Sequence, residues 1–405
     1  MKKASSANPS LIRDINRTSV LDVMRRTGPI SQADIAKILA LQPSTIMRIM
    51  TELLEERLIV SVGQGQTTSK GGRKATLLEL NKDGAYAIGV DLNADEVIAV
   101  LLDLSGVIVA EVRTDCPSES GPNPVMDTVK QSIQALLAQL VVSADRIIGI
   151  GVSVPGKVDS VTGTSVIAIN FRDWFNVPIG EQLEQAFQLP VYVEHDMRAM
   201  AFGEMWFGNE YDHMLCLGFR SGIGLGLVLN GELYRGAHQL AGDVGHVVVD
   251  PDGPLCSCGR QGCLEAVASE KAIHNNVRRY VQQHSLSSAG NIKMTMEELN
   301  IRFIYETFRQ GHPDITAMIK EAANYIGRTL CDLVRVYDPQ AIVIGGNVLA
   351  SSSEFLDLVC SAYQSMQPNY ADDIPSIQPA RFGDQSIAIG SASLMLSRLF
   401  KPNGA

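Results

Sequence analysis

The sequence predicts an α/β protein in two parts: a small helical head closed by a two-stranded wing, and a larger body of two similar α/β lobes flanking a cleft. Three observations predict it. Three helical periodicities follow one another between Ser10 and Leu54, and a strand–turn–strand pattern opens near Ala87 and again near Met214. The chain has 405 residues, more than one simple core needs, so two or three domains are expected.

The first helix of the head runs from about Ser10 to Arg26, with Val20, Leu21 and Met24 on one face, and stops at Gly28-Pro29. The second opens at Ser31, three residues before Asp34. That spacing is close to a capping box, in which a side-chain oxygen takes up a free N–H of the first turn. Ile35, Ile38 and Leu39 form its expected buried stripe. The third begins at Pro43, whose missing N–H costs nothing at a first helical position. Ile46, Ile49, Met50, Leu53 and Leu54 share one face of it.

Only Leu41-Gln42 links the second and third helices, and Gln42, Ser44, Thr45 and Arg48 are polar around the start of the third. This is a helix-turn-helix layout, in which such residues meet base edges. Leu58–Val62 and Ala75–Leu80 then read as strands around a Gly/Ser/Thr-rich turn, with Lys70, Arg73 and Lys74 on or beside its tip. An arginine behind two glycines can approach a minor groove. A three-helix protein-interaction module would share the periodicity; the caps, spacing, wing and charge together favour DNA.

Charge divides the same way. Residues 1–82 hold 13 Lys and Arg against seven Asp and Glu, a net of +6, while the whole chain carries −10, which leaves −16 for the rest. A basic head on an acidic body suits a head that approaches phosphates. No apolar run approaches the ~20 residues that a membrane span needs. Met1-Lys2-Lys3 is followed by no apolar stretch, so a cytoplasmic chain without membrane insertion is expected.

In the body, Ala87–Leu92 leads into Val97–Asp103 and a turn at Ser105-Gly106. Met214–Gly218 leads into Gly222–Leu229 and a turn at Asn230-Gly231. Each copy is followed by helical material, as expected of two duplicated lobes. Cys116, Cys216, Cys331 and Cys360 lie in or beside apolar stretches and read as buried thiols. Cys256, Cys258 and Cys263 cluster behind Gly242-Asp243-Val244-Gly245-His246. Three thiolates and one imidazole, His246 with Cys256, Cys258 and Cys263, make a closed Cys₃His set suited to one structural zinc ion per chain.

These motifs, together with Glu194-His195-Asp196 and Gly345-Gly346, resemble the ROK family of repressors and sugar kinases, in the actin-like (sugar kinase/RNase H-like) superfamily. The likeness runs from about Ile88 to Gly346. In the head, Asn16-Arg17, Gly28-Pro29-Ile30-Ser31 and Lys70-Gly71-Gly72-Arg73 resemble the repressor members. The resemblance implies a winged helix-turn-helix at 1–82 and a smaller lobe at 83–194 completed by a C-terminal helix within 385–405. It implies a larger lobe at 195–384 with the zinc loop and an oligomerisation surface.

The resemblance also implies an effector site of Asn170, His195, Asp196, Asp243, His246 and Glu265. Asp196 stands where the kinases keep their general base, and a helix N-cap would equally explain an Asp there. Asp243 stands where the family usually has Glu. The first phosphate loop is degenerate: Asp91-Leu92-Asn93-Ala94-Asp95 lacks both glycines and the hydroxyl that cradle phosphate. Asp95 is expected to add negative charge there. The second loop, Ser221–Gly226, and Gly345-Gly346 survive, and such glycines also serve tight turns without any nucleotide.

The expectation is therefore no catalysis. It is a sugar-responsive repressor of carbohydrate genes, a homodimer or tetramer on palindromic operator DNA, relieved by a sugar or sugar phosphate. A kinase with residual ATP-dependent activity, or a repressor answering to a transporter protein, are the alternatives.

Overall fold

A computed structural model describes residues 9–65, 74–139, 142–208, 211–283, 299–346, 352–367 and 374–402. The head comprises α1 (Pro9–Thr27), β1 (Ile30–Ser31), α2 (Gln32–Ile38), α3 (Pro43–Glu55), β2 (Ile59–Gln64) and β3 (Thr76–Leu80). Ser31 caps α2, its hydroxyl accepting from the Asp34 N–H at 3.2 Å. Val20, Leu21, Met24, Ile35, Ile46, Ile49, Met50 and Leu53 form the head core. Two expected members do not join it: Ile38 is 55% exposed and Leu54 41%. Ile38 is the last residue of α2. Leu54 lies about 40° beyond Met50 on the helical wheel, past the edge of the buried arc. β2 and β3 pair antiparallel with a bulge between Ser61 and Gly63, and β1 adds to the other side of β3. Lys70 and Arg73 lie outside the described residues.

The first half of the body runs β4 (Tyr86–Leu92), β5 (Glu96–Asp103), β6 (Ile108–Asp115), α4 (Pro122–Ala138) and β7 (Ile147–Val154). The short strands β8 (Lys157–Asp159), β9 (Thr164–Ile167) and β10 (Phe175–Val177) form a small sheet, followed by α5 (Ile179–Phe187), β11 (Val191–His195) and α6 (Asp196–Phe207). The second half runs β12 (Met214–Phe219), β13 (Ile223–Leu229), β14 (Glu232–Leu233), α7 (Leu264–Ala268), α8 (Glu270–Gln283), α9 (Ile301–Arg309) and α10 (Pro313–Tyr337). It ends with β15 (Ala341–Gly346), α11 (Ser353–Ser365), β16 (Ser376–Pro379) and α12 (Ser386–Leu396).

The two main sheets repeat one design. Their orders are β6-β5-β4-β7-β11 and β14-β13-β12-β15-β16. In each, the first three strands are antiparallel and the last two are added parallel. β4 is buried on both faces, which explains its unbroken apolar run. Its alternate residues serve different neighbours. Ile88, Val90 and Leu92 join the cluster with Val125 and Val129 of α4, while Ala87 joins Ile389 and Ala392 of α12. Gly89 lets α12 approach, since a Cβ there would lie 2.0 Å from the Ala388 carbonyl oxygen. α6 packs along α12 where Gly203 meets Gly390. These two helices thus lie between the sheets.

Candidate functional site

β11 ends at His195, and α6 starts at Asp196 on the wall of a cleft opposite the turn between β12 and β13. Asn170, His195, Asp196, Asp243, His246 and Glu265 all line one cavity there, of about 210 Å³. The cap of α6 differs from expectation. His195 is the capping residue, its Nδ1 accepting from the Met197 N–H at 3.2 Å. Asp196 is the first helical residue and its Oδ1 accepts from the same N–H at 2.7 Å. The two side chains thus share one free N–H of the first turn.

Glu265 ties two loops to the cavity. One carboxylate oxygen accepts from the Ile223 N–H at 3.4 Å and the other from the Ser257 hydroxyl at 3.3 Å. Gly242, at φ +95°, hugs β13 so closely that a Cβ would sit 1.8 Å from the Leu225 carbonyl oxygen. The next residue, Asp243, keeps its side chain 59% exposed, 3.8 Å from His246 Nε2.

The other ring nitrogen of His246 faces sulfur. Nδ1 lies 3.4 Å from Cys256 Sγ, and Cys258 and Cys263 Sγ lie 3.6 Å apart. All four potential ligand atoms fall within 4.8 Å of one another. A tetrahedral zinc with sulfur at about 2.3 Å and nitrogen at about 2.0 Å has edges of roughly 3.5–3.8 Å. The donor set and its spacing fit such an ion, with no residue needing to move far. His246 would then bridge metal loop and cavity, one ring nitrogen to each.

The cleft holds charged residues that periodicity did not reveal. Arg220, in the turn after β12, donates to both carboxylate oxygens of Asp91 at the end of β4, at 2.8 and 3.3 Å. Burial opposes the Arg220 charge, but Asp91, Asp196 and Glu270 hold its pKa above the ordinary value. The pair stitches the two phosphate-type turns together. On the other wall, buried Glu194 takes Arg198 at 2.7 Å and Arg235 at 2.9 Å. Burial disfavours the carboxylate, yet the two guanidinium groups pull its pKa below the usual range. Asp91 and Glu194 each stand inside a sequence motif, but nothing in those motifs identifies their partners.

Asp95 is exposed at the β4–β5 turn and is not among the residues that line the cavity, whereas Asn93 is. The surviving glycines have a packing reason. A Cβ at Gly224 would lie 2.7 Å from Met197 Cγ, and one at Gly345 2.8 Å from Met200 Sδ, both on α6.

At the head, Gln42, Ser44 and Arg48 are exposed and Thr45 is half-buried around the N-terminal end of α3. No described helix is long and apolar enough to cross a membrane.

The comparisons follow this division. A winged helix-turn-helix DNA-binding family matches residues 13–60. The chain is 28% identical over 392 residues to the xylose repressor of Caldicellulosiruptor bescii, spanning 96% of this chain and 97% of that one. It superposes on a ROK family transcriptional regulator, a homolog of the E. coli MLC protein, with TM-score 0.78 and 27% identity, covering 96% of this chain and 97% of that one. A ROK family glucokinase from Streptomyces griseus, in complex with glucose and AMPPNP, matches with TM-score 0.69 and 28% identity, covering 76% of this chain and 99% of that one. The ROK family itself matches residues 87–398, and with the duplicated sheets, the Cys₃His loop and the cleft in place, the chain belongs to the ROK family.

Proposed function

We propose that this chain is a transcriptional repressor of carbohydrate uptake or metabolism genes, acting in the cytoplasm and released from operator DNA by a small sugar-type effector held between its lobes. The head (1–82) binds DNA through Gln42, Ser44, Thr45 and Arg48, and through Lys70 and Arg73. The lobes (83–194 with 385–405, and 195–384) bind the effector through Asn170, His195, Asp196, Asp243, His246 and Glu265. A structural zinc on His246, Cys256, Cys258 and Cys263 stiffens one wall. A two-fold oligomer reads a palindromic site.

One observation carries this reading: α6 begins in the cleft and ends under the head. Its 12 residues span about 18 Å. At its far end, Arg25 of α1 donates to the Trp206 carbonyl oxygen at 2.9 Å and lies 4.2 Å over the Trp206 ring. The head is joined to the body stiffly as well. Leu104 donates to the Lys82 carbonyl oxygen, and the head core runs on into Leu102, Ile389 and Met395. Movement of α6 on effector binding would reach α1 with little lost to a loose tether. A modest shift between heads is enough to spoil half-site spacing.

The shared body and Asp196 in the cleft favour one second reading, a residual kinase. The degenerate first turn argues against it, because it lacks the glycines and the hydroxyl that cradle phosphate. The test uses duplexes enriched by the purified chain from a random library. A palindromic site released by one monosaccharide supports the repressor. Failure to enrich any duplex, or sugar-dependent ATP turnover without DNA binding, overturns it.

A further inference from the structure

We propose that Arg198 and Gln239 together read one hydroxyl of the effector, and so select a neutral polyhydroxylated ring at that point of the cleft. This rests on the effector-cleft reading above and adds residues outside the expected set.

Arg198 stands in the first turn of α6 with only 2% of its side chain exposed. Its Nε donates to Glu194 at 2.7 Å and its Nη1 to the Gln239 carbonyl oxygen at 3.1 Å. Its Nη2 is buried and meets no hydrogen-bond partner among the described residues. The same is true of Gln239 Oε1. Both residues line the cavity that holds Asp196 and Glu265. One wall therefore carries a spare donor and a spare acceptor, both shielded from solvent as the side chains stand.

More than nine-tenths of buried polar groups in folded proteins are paired, so two such atoms on one cavity wall point to a ligand group. That group must accept from Arg198 and donate to Gln239. A hydroxyl does both through a single oxygen. A phosphate or carboxylate would satisfy the guanidinium but leave the amide oxygen facing negative charge.

The two residues have different parts. Arg198 is fixed, because Glu194 is also held by Arg235. Gln239 is adjustable: its backbone is left-handed at φ +61°, in a loop between Gly236 at +72° and Gly242 at +95°. Its side chain is half-buried. Contact requires that side chain to turn towards the cavity and Arg198 Nη2 to be uncovered.

The experiment compares the natural chain with Gln239→Leu and Gln239→Glu. Each is titrated calorimetrically with D-xylose, D-glucose and N-acetyl-D-glucosamine, and with the monodeoxy analogues of whichever sugar binds. For the natural chain, one deoxy analogue should bind about tenfold more weakly than its parent. In Gln239→Leu the parent should fall by a similar factor, and the penalty for that same analogue should vanish. Gln239→Glu keeps an acceptor and should retain the penalty. The proposal is overturned if every analogue loses the same factor in the natural chain and in Gln239→Leu. If no sugar binds the natural chain, the effector reading falls with it; if sugars bind with unaltered selectivity in the variants, only this proposal falls.

Discussion

The Arg220 guanidinium lies 2.8 Å from the Asp91 carboxylate, across the seam between the two main sheets. Both side chains are almost wholly buried. Removing one partner strands the other's charge, whereas removing both with apolar groups of similar size is much less costly. Arg220→Ala should therefore destabilise the fold by about 3–5 kcal/mol. The double variant Asp91→Leu with Arg220→Met should lose clearly less. Chemical denaturation measures both, and equal losses in the two proteins would contradict the role assigned to the pair.

Arg48 is exposed near the start of α3. If it reads a base, Arg48→Ala should weaken binding to an enriched duplex by about 1–3 kcal/mol and relax selectivity at one position. Unchanged affinity in a gel-shift titration would remove Arg48 from the interface.

Arg25 is set against Trp206 at the head–body joint. Arg25→Ala should leave duplex binding within a few-fold of the natural chain but weaken the effector's power to release it. Loss of coupling of about 0.5–2 kcal/mol is expected for a residue on such a route. Fluorescence anisotropy with and without effector reads both quantities. An unaltered release curve would exclude this contact from the relay.

The metal site makes a compositional prediction. Protein purified without added metal should carry one zinc per chain by elemental analysis. Cys263→Ser should lose it along with several kcal/mol of stability, because binding energy at a structural site is folding energy. Folded, reduced protein without stoichiometric zinc would rule the assignment out.

Glu204 on α6 supplies a pH signature. Burial pushes its carboxyl up to about 7 from an ordinary 4.5, against backbone N–H groups of Arg381 and Phe382 that favour the charged form. A raised folded-state value means that the folded chain holds a proton the unfolded chain has released. The stabilisation is full below about 4.5 and is lost as pH rises through about 7. Relative to Glu204→Gln, the natural chain should lose up to roughly 3 kcal/mol across that window. Parallel pH–stability curves for the two proteins would contradict this.

Much of the architecture was legible from local patterns. The 3.6-residue stripe of Ile46, Ile49, Met50 and Leu53, the Ser31 cap and the paired strand–turn–strand openings each lie within one segment, and each segment has the structure its residues predict. The errors sit at edges. Ile38 ends its helix and Leu54 borders the buried arc, where a hydrophobic residue meets either core or water depending on what lies beside it.

The sequence by itself determined the helical head with its wing, the duplicated α/β lobes and the Cys₃His cluster. These depend on residue spacing within a few turns or a single loop, and short-range stereochemistry dictates them. Only the tertiary structure decided which charges meet. Asp91 and Arg220 are 129 residues apart, and Arg25 and Trp206 are 181. A carboxylate or guanidinium carries no local mark of its distant partner. Its choice follows from where the sheets and α12 bury it, and low dielectric then makes that one pairing obligatory.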